Sequence, residues 1–75
     1  SLSPVLYEVW SYSQAIANKD VAALEKLKKS NTALLGDLAT YELVSNSQDL
    51  ASLNSYALNQ NAIYKDLARV QVAIL

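Results

Sequence analysis

The feature that most constrains this 75-residue chain is an internal repeat, in which residues recur at a spacing of 29 positions without a gap. Self-similarity at such a period is typical of chains built by stacking one supersecondary unit on another. The identical pairs are Asp20 and Asp49, Ala22 and Ala51, Leu24 and Leu53, Ala33 and Ala62, Asp37 and Asp66, Leu38 and Leu67, and Ala39 and Ala68. The repeat predicts a short helix and a longer helix, stacked on a second copy of the same pair.

The composition supports an all-α fold held together by apolar packing. The chain has one glycine and one proline, which leaves little turn chemistry for a sheet of short strands, and its many alanines and leucines favour helix. It has no cysteine for a disulfide, and 52% of its residues are hydrophobic. A chain of this length is expected to form one domain. We therefore predict a single helical-repeat domain over residues 1–75.

The hydrophobic pattern predicts five short helices, which we expect to lie antiparallel as α-α hairpins because the loops between them are short. Their predicted ranges are 4–17, 20–29, 33–44, 49–58 and 62–75. Repeat units span about 20–48 and 49–75, and residues 4–19 read as a partial earlier repeat. The positions of the two short helices predicted to face the interior are Val21, Leu24, Leu27, Leu50, Leu53 and Ala57. On the last helix, Ile63, Leu67, Val70 and Ile74 form one apolar stripe.

Local residues predict where these helices begin and end. Ser3, Asp20 and Asp49 are expected to cap helix N-termini, with Pro4 at the first helical position. Asn18 is expected to take the left-handed conformation that ends the first helix. Asn31 or Thr32 is expected to cap the third.

Two further features concern helix surfaces. Glu25 and Lys29 are expected to form an ion pair one turn apart. Gly36 lies within the third predicted helix, where we interpret it as a notch that permits close helix contact.

Several classes of function are excluded by what the chain lacks. Without histidine or cysteine there is no base that titrates near pH 7 and no partner for a serine nucleophile. The recurring aspartates lie at helix starts, where capping explains them. A net charge of −1 and a pI near 5.0 argue against a nucleic-acid partner. We predict no catalytic residues, no cofactor, no metal, no small-molecule substrate and no membrane span in this segment.

The remaining candidates for function are surfaces that bind protein. Trp10 and most of the five tyrosines are expected in the core, whereas Tyr7 and Tyr56 lie off the strongest apolar stripes and are predicted surface contacts. The chain ends in the apolar run 70–75, from which we expect an excised fragment of a longer protein. Ile74 and Leu75 are predicted contacts there, either for a following repeat or for a homodimer through this helix. Lys19, Lys26, Lys28 and Lys29 read as a solvated basic face, with an acidic partner or lipid as the alternative.

The repeat resembles the tetratricopeptide-like family. The residues that carry the resemblance are Asp20-Val21-Ala22-Ala23-Leu24 and the helix Tyr64-Lys65-Asp66-Leu67-Ala68-Arg69-Val70-Gln71-Val72-Ala73. The second stretch looks like the "Y-x-D-L-A-x-x-x-x-A" helix of the domain in the ancillary subunit of the bacterial Sec translocon. That resemblance implies a protein-binding array, an N-terminal membrane anchor elsewhere in the protein, and a place on the periplasmic side of a bacterial inner membrane. A cytoplasmic location is the alternative.

Together these features predict a non-catalytic protein–protein interaction scaffold, an adaptor in protein export or folding if the resemblance holds. The alternative is a structural, self-associating helical bundle. An enzyme fragment that contributes only scaffold is a third hypothesis. The sequence does not identify the partner.

Overall fold

The structure is a computed structural model that describes residues 3–75, and these residues are all-helical with no strand among them. The five helices are α1 (Pro4–Asn18), α2 (Val21–Leu27), α3 (Ala33–Ser47), α4 (Leu50–Leu58) and α5 (Lys65–Ile74). The predicted all-α class is confirmed. The chain divides into two compact units, and the boundary between Thr40 and Tyr41 falls inside α3. It does not coincide with the predicted repeat boundary between residues 48 and 49.

Side-chain caps start three of the helices, as predicted. The Ser3 hydroxyl accepts the backbone N–H of Leu6 at 3.2 Å, and the Asp20 carboxylate accepts that of Ala23 at 3.1 Å. Asp49 accepts the N–H of Ala51 at 3.2 Å. Each bond satisfies one of the donors that the first turn of a helix leaves unpaired.

The ends of the first two helices differ from the prediction. Asn18 stays helical, and Lys19 takes the left-handed conformation instead, with φ of 53°. α2 ends at Leu27 rather than Lys29. Because the last turn is shortened, Glu25 pairs with Lys28 at 3.5 Å and not with Lys29.

The third helix ends later than predicted, and the fifth helix begins later than predicted. α3 runs three residues beyond Val44, and the hydroxyls of Ser45 and Ser47 donate to backbone carbonyls of the preceding turn. α5 begins at Lys65 rather than Ala62. The residues before it form turns around buried Ala62.

The 29-residue spacing is visible in the helix bounds. Shifted by 29, α1 and α3 have the same first and last residues, and α2 begins where α4 begins. Equivalent positions are buried in both copies, Leu24 with Leu53 and Ala39 with Ala68. The closest helix pairs, however, are α1 with α2 and α4 with α5. The first is a long helix followed by a short one and the second is the reverse, so these two contacts are not equivalent under the repeat.

Gly36 occupies the predicted notch. A Cβ built on it would lie 3.1 Å from the backbone oxygen of Lys28, at the end of α2. That distance is closer than side chains ordinarily approach a carbonyl, so the absence of a side chain lets α3 come this near to α2.

Four of the six positions predicted to face the interior do so, namely Leu24, Leu27, Leu53 and Ala57. The prediction is wrong for Val21 and Leu50, which are 60% and 49% exposed.

Candidate protein-binding surfaces

The largest uncovered apolar surface of the first unit lies on α1. Leu6, Val9 and Trp10 are 56%, 44% and 54% exposed, and Ser13 and Ala17 continue the same side of the helix at the spacing of one turn. We call these five residues the outer face of α1. It is uncovered because α1 packs against α2 through its opposite side, where Ala15 is buried.

A polar cluster fixes which side of α1 turns outward. The Glu8 carboxylate accepts a hydrogen bond from the Ser30 hydroxyl at 2.5 Å and another from the Thr32 hydroxyl at 3.1 Å. The Ser30 oxygen in turn accepts the backbone N–H of Thr32 at 2.9 Å. Thr32 therefore uses its hydroxyl on Glu8, and no side-chain cap from it starts α3, contrary to one of the two caps predicted there.

The orientation of α1 has a consequence for charge. Glu8 is the only acidic or basic side chain between Pro4 and Asn18. Because Ser30 and Thr32 hold its carboxylate on the inner side, the outer face carries no charge. A wide uncharged apolar surface on a helix is the kind of surface that another protein covers.

The predicted contact Tyr7 borders this face and is 58% exposed. Its ring centroid lies 6.1 Å from that of Trp10, with the two rings tilted by 35°. Aromatic pairs at this separation attract each other weakly, so the two rings present one continuous surface. Trp10, which was expected in the core, is thus part of the candidate surface instead.

A second apolar surface lies on α5 in the second unit. Leu67, Val70 and Ile74 are spaced three and four residues apart and are 49%, 55% and 77% exposed. We call them the α5 stripe. Asp66 and Arg69 form an ion pair at 3.6 Å on the same helix. The predicted contact Ile74 belongs to the stripe, and the predicted contact Leu75 follows it at 58% exposed.

Tyr56 is 6% exposed, so its predicted place at the surface is wrong. It belongs to the core of the second unit with Leu53, Ala57, Ala62 and Ala68. Its hydroxyl oxygen accepts the backbone N–H of Tyr64 at 3.1 Å, which gives the polar end of a buried ring a partner. The sequence pattern predicts Leu50, Leu53 and Ala57 on the inner face of α4 and therefore places Tyr56 beside that face.

Tyr41 joins Tyr56 and Tyr64 in one aromatic cluster. Its ring centroid lies 5.4 Å from that of Tyr56 and 4.8 Å from that of Tyr64, and its hydroxyl donates to the Gln71 side chain at 2.9 Å. Burial raises the pKa of the Tyr41 hydroxyl above its ordinary value of 10.0, which the hydrogen bond to Gln71 partly opposes. The cluster stabilises the second unit and does not form an exposed binding surface.

The acidic residue Asp49 has a structural role. Asp49 receives a 2.7 Å hydrogen bond from the Ser52 hydroxyl, which together with the backbone N–H groups of Ala51 and Ser52 lowers the pKa of its carboxyl. Over residues 3–75, no group of three acidic, histidine or cysteine side chains is arranged to hold a metal ion. Lys26, Lys28 and Lys29 are solvent-exposed on and after α2, as predicted for a solvated face.

Comparison with known proteins finds no relative of this chain. No protein-family model, no curated protein and no solved structure matches the chain. Within the part of the chain that the structure describes, none of the helices has the length and apolar character needed to cross a membrane.

Sequence reasoning missed Leu6, Val9 and Trp10 as surface residues. The available signal was the width of the apolar arc of α1, which is more than the seven-residue α2 beside it can cover. That signal gives the size of the uncovered surface, but the choice of side depends on the contacts of Glu8.

Proposed function

We propose that this chain is a non-catalytic helical module that binds another protein, and that the outer face of α1 is its main binding surface. The observation that carries the proposal is the exposure of Leu6, Val9 and Trp10 on a face without charge. Large exposed apolar surfaces on small proteins mark interaction sites more often than not. Tryptophan and tyrosine are the side chains most enriched among residues that dominate binding energy.

The free energy available from burying the outer face of α1 is sufficient for a partner protein to bind. Burying a large apolar side chain that starts half exposed contributes on the order of 1 kcal/mol. Trp10, Tyr7, Leu6 and Val9 together offer several times that amount before the cost of association. A partner surface that excludes water from these four side chains therefore binds with moderate affinity, whereas a charged partner gains nothing from this face.

The experiment that tests the proposal is site-specific photo-crosslinking in cells. A photoreactive residue at Tyr7 is expected to capture a protein, either a different one or a second copy of this chain, because that position borders the face. The matched control is the same residue at Lys26, which is also exposed but lies on α2. Equal capture at the two positions, or none at Tyr7, contradicts the proposal.

We further propose that neighbouring helices are antiparallel α-α hairpins of the tetratricopeptide-like type. The equal bounds of α1 and α3 at a shift of 29 residues support this arrangement. The place of the whole protein as a periplasmic adaptor in bacterial protein export or folding rests on the resemblance alone. Recovery of translocon or envelope-folding proteins by the Tyr7 crosslink would support it, and recovery of cytoplasmic proteins only would contradict it.

A second candidate function, a self-associating structural bundle, is favoured by the α5 stripe. Pairing through Leu67, Val70 and Ile74 would give the homodimer that the sequence predicts for this helix. The test is light scattering of the protein and of a Val70→Ser variant. A concentration-dependent increase in mass that the substitution abolishes supports pairing through α5, and a mass that the substitution leaves unchanged contradicts it.

A further inference from the structure

The outer face of α1 has two halves of unequal size. Toward the N-terminus stand the bulky side chains Leu6, Val9 and Trp10, and toward the C-terminus stand the small Ser13 and Ala17. The Ser13 hydroxyl donates to the backbone oxygen of Val9 at 3.0 Å, within its own helix. Its polar group is therefore already bonded, and Ser13 offers a neighbour a shallow surface with no unmet hydrogen bond.

We propose that the outer face of α1 binds the same face of a second copy of this chain, with the two helices antiparallel about a twofold axis. In this register Leu6 lies opposite Ala17 of the second copy, and Trp10 lies opposite Ser13 of the second copy. The bulky half of each helix then fills the shallow half of the other. This pairing rests on the proposed function, because it gives the binding surface its partner.

The size pattern selects the antiparallel arrangement over the parallel one. A parallel pair would place Trp10 against Trp10 and Ser13 against Ser13, so the helices would be held apart at one end and leave a gap at the other. Gaps forfeit the contacts between atoms on which packing energy depends. In an isologous antiparallel pair each bulky side chain meets a small one, so the helices are neither held apart at one end nor separated by a gap at the other.

Charge also permits self-pairing here. Across a twofold axis each charged group meets the same region of the other copy, so a charge near the axis faces a like charge. The outer face of α1 has none, because Glu8 is bonded to Ser30 and Thr32 on the other side of the helix. The α5 stripe differs in this respect, because the charged Asp66 precedes Val70 by one helical turn and borders the stripe.

The buried area predicts a weak dimer. A 15-residue helix is about 22 Å long. With two half-exposed aromatic rings on it, a paired face covers roughly 900 Å² over both copies. Stable interfaces bury about 1,200–2,000 Å². This area is below that range, so we expect a weak dimer, and the concentration series is centred on a dissociation constant of about 100 μM.

The first experiment is sedimentation equilibrium of the whole chain at concentrations up to about 1 mM, ten times the expected dissociation constant. The weight-average mass of the wild type is expected to rise toward twice the monomer mass, to about 1.8 times at the highest concentration. Trp10→Ala is expected to remain monomeric, and Leu58→Ala, which removes an even more exposed apolar side chain from α4, is expected to behave as wild type. Circular dichroism confirms that all three are equally helical. A wild-type chain that stays monomeric, or a Trp10→Ala chain that dimerises normally, overturns the pairing.

The second experiment determines the direction of the helices. The chain has no cysteine, so single cysteines at Leu6 and at Ala17 can be joined specifically by a short bis-maleimide. An equal mixture of Leu6→Cys and Ala17→Cys proteins is expected to give mainly mixed crosslinks, because these positions lie opposite each other. Ala17 positions in an antiparallel pair are about 16 Å apart along the helices and should not be joined. Predominant Ala17-to-Ala17 crosslinks overturn the antiparallel arrangement.

Failure of this pairing is distinguishable from failure of the proposed function. If the chain is monomeric but the photo-crosslink at Tyr7 captures another protein, the pairing is wrong and the binding role of α1 stands. If the chain is monomeric and Tyr7 captures nothing, both are wrong. Capture of only the same chain at Tyr7 supports the pairing and removes the need for a different partner.

Discussion

The two copies of the repeat begin alike and are then stabilised by different means. In each, an aspartate caps a short helix whose fourth residue is a buried leucine, Leu24 in one and Leu53 in the other. Three residues later the first copy has Leu27 and the second has Tyr56, and both are buried. Near Leu27 the first unit is stabilised by the close contact at Gly36 and by the hydrogen bonds that Glu8 accepts. Around Tyr56 the second unit uses a cluster of aromatic rings. A repeat can therefore preserve its helix starts while each copy acquires its own packing.

The largest effect is expected at Tyr56. Tyr56→Ala removes a buried ring and should lower the free energy of unfolding by about 3–5 kcal/mol. Tyr56→Phe keeps the ring but leaves the backbone N–H of Tyr64 without its partner, and should cost about 1 kcal/mol. Urea titration followed by circular dichroism measures both. Similar losses for the two variants would mean that the hydroxyl, and not ring burial, distinguishes the second copy.

Glu8 should have the next largest effect, in the first unit. Glu8→Ala removes two hydrogen bonds to a carboxylate and leaves the hydroxyls of Ser30 and Thr32 without that acceptor, at a cost of about 2–3 kcal/mol. Amide hydrogen exchange should show faster opening of α1, and the matched control is Gln14→Ala on the exposed side of the same helix. Unchanged protection of α1 in Glu8→Ala would contradict a role for this cluster in positioning the helix.

Gly36 tests the close contact of the first copy. Gly36→Val should destabilise the chain by about 2 kcal/mol, because its side chain would meet the backbone oxygen of Lys28. The equivalent residue of the second copy is Lys65, and Lys65→Val, which removes a half-buried side chain that donates to the Gln60 backbone oxygen, should cost no more than about 1 kcal/mol. Thermal unfolding compares the pair. Equal effects at the two positions would show that the glycine contact does not distinguish the copies.

The smallest expected effect is the loss of stability at low pH, when the capping residue Asp49 is protonated. The folded state lowers the pKa of Asp49 below its ordinary value of 3.8, so its ionised form favours folding. Its contribution is fully present above that ordinary pKa and is lost as the pH falls through the folded-state pKa. Asp49→Asn keeps a good capping residue without the titration, so its stability should fall less on acidification between pH 5 and pH 2. Acid titrations of the same slope for both proteins would contradict this.

The parts of the fold that depend on neighbouring residues could be predicted from sequence. The caps at Ser3, Asp20 and Asp49 follow from side chains that bond to backbone groups two or three residues away. The existence of all five helices follows from their apolar spacing. The helix ends at Lys19 and Gln48 could not be predicted, because both residues take a left-handed conformation that lysine and glutamine do not favour.

The candidate surface needed information that no local pattern holds. Both sides of α1 are apolar enough to be buried, and the choice between them depends on Glu8 meeting Ser30 and Thr32, more than 20 positions away in the sequence. An acidic residue among apolar ones would ordinarily mark the outside of a helix. Here it marks the inside, whereas Trp10, which its helical spacing places in the core, is 54% exposed. The surface roles of Tyr7, Ile74 and Leu75 stay predictions, with all three side chains exposed.

The hydroxyl of Tyr56 has a consequence for how duplicated segments diverge. It holds the N–H of Tyr64, the residue that precedes α5, and that helix has ten residues where α3 has fifteen. Leu27, at the equivalent place in the first copy, has no such oxygen. At a shift of 29 residues, α5 thus begins three positions later than α3, with no insertion or deletion between the two helix starts. A side chain that bonds to a backbone group beyond its own helix can in this way move a helix start in one copy of a duplicated segment while the spacing of the repeat remains intact.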